Sequence, residues 1–146
     1  HNAAALRTAG YDRIGVICFD LGIYSDLSAS LREQFQNLAF EVEERGDRLA
    51  VVPRPGVYLM TPEACGGLEF DAVIIAGADQ GIVPMPIGEL SREGYLSTLE
   101  EAFKELYTAV TRARFVLRFI ISPSRGPSEL LLPAISSGIL SESPAR

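Results

Sequence analysis

Residues 57–76 read Val57-Tyr-Leu-Met-Thr-Pro-Glu-Ala-Cys-Gly-Gly-Leu-Glu-Phe-Asp-Ala-Val-Ile-Ile-Ala76. An apolar run ending at Met60 reads as a strand, and Thr61 to Glu69 as a polar loop or single helical turn around two adjacent glycines. Phe70 to Ala76 is the strongest buried strand of the chain, apolar at nearly every position as a strand covered on both faces must be.

Working outward, Ile14-Gly-Val-Ile-Cys-Phe19 is another short apolar run, stopped by Asp20. Ser25 or Asp26 then offers an N-cap, and Leu27, Leu31, Phe35 and Leu38 recur at helical spacing. Phe40 to Glu44 alternates apolar with acidic residues, and Leu49 to Val52 is apolar until Pro53. Both read as short strands around a turn at Gly46-Asp47. Downstream, residues 77–94 are rich in glycine and proline and read as a long surface connection. The clearest helix is expected over 98–113, with Thr98 as cap and Leu99, Ala102, Phe103, Leu106, Val110 and Ala113 on one face. Phe115 to Ile121 reads as the closing strand. Beyond Pro123 the spacing predicts a brief helix near Leu130 to Leu132 and a frayed tail.

Strands separated by helical crossovers imply an α/β fold of three layers, a mainly parallel sheet flanked by helices. One domain is expected over 1–125, with 126–146 as short helix and flexible tail. In such sheets ligands meet the loops at the carboxyl ends of strands, and both polar clusters, Thr61 to Glu69 and the one at Arg112, are expected there.

Composition narrows the function. The 146 residues, 47% of them hydrophobic, suit a single core. A net charge of −6 argues against a free-standing nucleic-acid binder, which would show phosphates a basic face. Cys18 and Cys65 form no CxxC unit, so neither a disulfide framework nor a zinc site is indicated. No apolar run approaches a membrane span, and the expectation is a cytoplasmic protein without membrane contact. The single lysine, Lys104, lies within a helical pattern. A phosphate-cradling GxxxxGK[ST] loop is therefore absent, and this chain alone is not expected to hydrolyse ATP.

Two polar clusters carry the chemistry. Gly66 and Gly67 allow close backbone approach, and Glu69 sets an acceptor carboxylate just before a buried strand, which suits a ribose hydroxyl or an amide network beside a phosphate. A solvated Glu69 after a glycine turn fits the same residues. In Leu106-Tyr-Thr-Ala-Val-Thr-Arg-Ala-Arg114, a helical wheel sets Arg112 opposite Leu99, Phe103, Leu106 and Val110, near Thr108, Glu105 and Glu101. It can clamp a terminal phosphate as an arginine finger, or simply satisfy the last helix carbonyls.

Taken together, these stretches resemble the last two nucleotide-facing motifs of the UvrD/Rep-type superfamily 1 DNA helicases, which read roughly LMTxHxAKGLEF and LYVAxTRAR. Asp79-Gln-Gly-Ile-Val-Pro84 also resembles that family's acidic-Gly-x-x-Pro segment. The resemblance covers residues 57–84 and 105–121 and implies a RecA-like, P-loop-NTPase-type second motor domain. By it, Gly67 and Glu69 would face ATP on its ribose side, and Arg112 would reach the γ-phosphate as the catalytic residue. Thr61, Glu63 and Gly66 would lie on the single-stranded-DNA side. ATP with Mg2+ would be held mainly by an N-terminal RecA-like domain of the same full-length protein.

The departures are equally specific. Where the family carries histidine and lysine, this chain has Glu63 and Gly66, which removes two donors and adds a charge that repels phosphate. Asp20 stands where a family strand ends in arginine. A second hypothesis follows: a helicase-like nucleotide switch that binds a protein partner, such as a polymerase or repair factor, instead of unwinding DNA. A third, an unrelated receiver-like or small-ligand α/β domain with Asp20 at a strand end, leaves the paired motifs unexplained.

Overall fold

The computed structural model describes residues 1–42, 54–86, 88 and 91–143. Five parallel strands form one sheet in the order β2-β3-β1-β4-β5: β1 Arg13–Cys18, β2 Ala39–Glu41, β3 Gly56–Met60, β4 Phe70–Ala76 and β5 Ala113–Ile120. β1, β3 and β4 are central and almost wholly buried, which is why their sequences are apolar on both faces.

Strand alternation divides the core in two. Ile14, Val16, Cys18, Val57, Leu59, Ala72 and Ile74 point to one face, where Ala3 and Leu6 of α1 (Asn2–Thr8) and Leu27, Leu31 and Phe35 of α2 (Tyr24–Phe35) cover them. Ile17, Phe19, Tyr58, Met60, Phe70, Val73 and Ile75 point to the other. There they meet Ala102, Leu106 and Ala109 of α3 (Arg92–Val110), with Leu131 and Ile135 at α4 (Leu132–Ser136). The result is the three-layer α/β architecture expected from the sequence. Among the described residues, no helix is long and apolar enough to cross a membrane.

Several elements differ in detail. α1 was not anticipated. α2 begins at Tyr24, behind a 3-10 turn at Leu21–Ile23 whose cap is Asp20 rather than Ser25 or Asp26: the Asp20 carboxylate accepts the Gly22 amide at 2.9 Å. α3 begins at Arg92 rather than 98, because Ser91 accepts the Gly94 amide and caps it; Thr98 lies inside the helix and donates to the Gly94 carbonyl. Phe103, expected in the core, is 55% exposed and stacks on Tyr107 instead. The buried stripe of α3 is Ala102, Leu106 and Ala109, small enough to bring the helix close to the sheet. β2 covers only the start of the expected 40–44 strand, and the expected strand at 49–52 and turn at 46–47 lie outside the described residues. Leu131 and Ser128 are buried, the latter with its amide on the Ala78 carbonyl, so the core continues past residue 125.

Candidate functional site

Only Thr111 and Arg112 separate the end of α3 from the start of β5. That tight connection puts Arg112 at the amino edge of the sheet, where its carbonyl accepts the Phe70 amide at 2.9 Å as β4 begins. The helical-wheel position therefore does not apply, since Arg112 lies beyond the helix. Its guanidinium is held by oxygen atoms of neighbouring turns: Nε donates to the Thr108 carbonyl at 3.0 Å, Nη1 to the Leu68 carbonyl at 3.3 Å, and Nη2 to the Thr111 hydroxyl at 3.1 Å. Three of the five N–H groups are thus used, and two remain. Among the described residues no carboxylate pairs with it.

Glu69 lies between the two residues that bind Arg112: the Leu68 carbonyl accepts from its guanidinium, and the Phe70 amide donates to its carbonyl. Its side chain is exposed, as are Gly66 and Gly67. Gly67 has φ +75°, a left-handed conformation that explains a glycine here; Gly66 does not, and a Cβ at Gly66 would meet open space. Cys65 is buried beneath this rim, and its thiol is pushed up to about 11 by burial, which the nearby Arg112 charge only partly offsets. Gly67, Glu69 and Arg112 therefore share one rim.

That rim is not the expected one. β3 ends at Met60, level with Ile17, whereas β4 begins at Phe70, before its first partner Ile14–Ala72. The loop between them runs from the carboxyl edge back to the amino edge. Thr61 and Glu63 stay near the carboxyl edge, while Glu69 and Arg112 sit at the other. A parallel sheet permits this because the 3-10 turn Glu63–Cys65, with Ala64 and Cys65 buried, carries the chain across the α3 face.

At the carboxyl edge a cleft of about 240 Å³ opens between the ends of β1, β3 and β4 and the outer turns of α3. Phe19, Leu21, Ile82, Val83, Pro84 and Met85 make its apolar side; Glu63, Glu101 and Glu105 line the other. Burial raises the Glu105 pKa, and the Glu63 and Glu101 charges raise it further. Also at the carboxyl edge, Arg125 ties two strand ends together. Its Nη1 lies 2.6 Å from Asp20 at the end of β1 and 3.6 Å from Asp79 after β4, and Asp79 also accepts the Ser122 amide beyond β5 at 3.0 Å. Among the described residues, no group of three His, Cys, Asp or Glu could hold a metal ion.

The family model for the UvrD-like helicase C-terminal domain matches residues 24–124. The chain belongs to that family. Among relatives of this UvrD-like domain, a protein named as a probable DNA helicase II homolog from Mycoplasma capricolum subsp. capricolum is 36% identical over 99 residues, 66% of this chain and 12% of that protein. A Bacillus subtilis (strain 168) protein, YjcD, named as an ATP-dependent DNA helicase, is 42% identical over 60 residues, 40% of this chain and 8% of its own length. The chain thus spans a small part of the curated relatives it matches. A solved structure of the C-terminal domain of a possible DNA helicase from a Lactobacillus (strain WCFS1) aligns with TM-score 0.56 and 26% identity, covering 89% of this chain and 67% of that one.

Within the UvrD-like domain the sequence reading missed two things. It singled out Asp20 only as a strand end, because nothing local links it to Arg125, 105 positions away. It placed Glu101 and Glu105 beside Arg112, where the structure sets them opposite Glu63; their i, i+4 spacing on one helix face was the available signal.

Proposed function

We propose that this domain is the second motor half of an ATP-dependent DNA helicase or translocase. It would close over ATP and Mg2+ that are held mainly by an N-terminal RecA-like domain of the full-length protein. The observation that carries this reading is the Arg112 guanidinium, which is positioned by two main-chain carbonyls, unneutralised among the described residues, and held against the loop that carries Glu69. When bound, the triphosphate supplies the bond to be broken. Arg112 contributes positive charge to the departing phosphoryl oxygens through its two unused N–H groups, without giving up the contacts that aim it. Glu69 supplies an acceptor for a ribose hydroxyl, and Gly67 lets the backbone turn without a side chain in the way.

Single-stranded DNA would pass on the Thr61 side, at the opposite edge, so that domain closure on nucleotide moves the DNA-facing loop. One observation favours a second reading, a nucleotide switch that engages a protein partner: Glu63 faces Glu101 and Glu105, and that edge is acidic where a phosphate backbone would need cations. ATP turnover of the full-length protein, measured with and without oligo-dT, separates the two. The helicase reading expects turnover to rise severalfold with single strands. A flat response with turnover intact transfers the chain to the second reading, and absence of any nucleotide turnover removes both.

A further inference from the structure

The carboxyl-edge cleft has a composition that the nucleotide rim does not use. At about 240 Å³ it falls below the roughly 300–1,000 Å³ of sites that enclose a cofactor-sized ligand, but it has room for a few side chains. Val83 and Ala102 are buried along it, while Leu21 and Met85 are 66% and 57% exposed. Leu21 and Met85 thus put exposed apolar surface beside a buried floor, and methionine adapts its shape to different partners.

The facing wall is anionic. Among the described residues Glu63, Glu101 and Glu105 make no ion pair, and the single lysine of the chain, Lys104, is paired with Glu100 at 2.7 Å. Like charges at i, i+4, as at Glu101 and Glu105, destabilise a helix, and Glu63 adds a third charge from across the cleft. Such a wall repels a phosphate polymer and is relieved by a cation. Arg125, at the ends of β1 and β4, is committed to Asp20 and Asp79.

We infer that this cleft docks a protein segment that inserts a large apolar side chain between Leu21 and Met85 and sets lysine or arginine against Glu63, Glu101 and Glu105. The inference deepens the protein-partner reading given above and rests on it for the class of ligand. It does not depend on Arg112. The apolar anchor gains its free energy by removing the exposed faces of Leu21 and Met85 from water, and the cations convert mutual repulsion among the glutamates into attraction.

The test is binding of a fluorescent amphipathic Leu/Lys helix peptide to this chain by anisotropy, with a Leu/Glu peptide and oligo-dT as comparisons. Saturable binding of the Leu/Lys peptide alone is expected. It should weaken about tenfold or more, as for two partly desolvated ion pairs and a lost anchor, in the Glu101→Gln/Glu105→Gln variant and again in Met85→Ser. Glu33→Gln on α2 should leave it unchanged. The double variant removes repulsion and is expected to fold; Glu101→Lys gives a second check by abolishing binding. Binding indifferent to the cleft variants overturns the site while leaving the partner reading standing. Oligo-dT binding that the same variants alter overturns both.

Discussion

Arg112 is aimed by main-chain oxygens rather than by a carboxylate, and this decides what it can do. A carboxylate partner would spend its charge inside the domain; two carbonyls fix its direction and leave the charge for a neighbour. The plainer role foreseen for this residue, satisfying a late helix carbonyl, is also real, through Thr108. Sequence could name the residue but not choose between the roles, because the Leu68 contact spans 44 positions. Glycines were legible to different degrees. Gly77 has φ +79°, and an added Cβ would stand 2.6 Å from the Asp20 Cβ and 2.7 Å from its amide nitrogen. Gly77→Ala should therefore cost more than about 1 kcal/mol in urea unfolding; an unchanged midpoint would refute that contact. Gly66→Lys, by contrast, should leave the midpoint within about 0.5 kcal/mol, since the position is open and its φ is ordinary.

The elements themselves were largely readable. β1, β3 and β4 announced themselves by apolar runs because both of their faces are covered, and the parallel order followed from the crossovers. α3 departs from its periodicity: the spacing includes Phe103, yet the sheet accepts only the smaller stripe of Ala102, Leu106 and Ala109, and the helix start rests on the Ser91 cap. Ser91→Ala should cost about 1 kcal/mol, measured by thermal or denaturant unfolding. The strand-end tie through Arg125 also belongs to this scale. The Arg125 hydrogen bond, more than any other contact, holds the Asp20 carboxyl below its usual range; the Gly22 amide assists and burial opposes. Because the folded value lies below the unfolded one, the stabilisation is complete above the unfolded pKa of about 3.9 and is lost as pH falls through the folded value. Stability should thus fall less steeply on acidification below about pH 5 in Arg125→Ala than in the parent chain. Equal slopes would show that the tie contributes nothing.

For the molecule as a whole, the three layers position two edges with opposite character. The amino edge offers an unspent guanidinium, an exposed carboxylate and a glycine turn; the carboxyl edge offers an apolar cleft with an acidic wall. A single loop, residues 61–69, joins them across one face of the sheet, so movement at one edge has a short covalent route to the other. The sequence motif contained both ends of this loop, but its linear order hid that they lie at opposite edges. The register of β3 and β4 against β1 revealed it.

The most direct measurement is ATP turnover and nucleotide affinity of the full-length protein carrying Arg112→Ala, with Arg112→Lys alongside and unfolding midpoints as a control for folding. The account predicts that turnover falls by orders of magnitude while nucleotide affinity stays close to that of the parent, and that lysine, lacking the planar fork, restores little. Turnover left intact in a folded Arg112→Ala protein would contradict it.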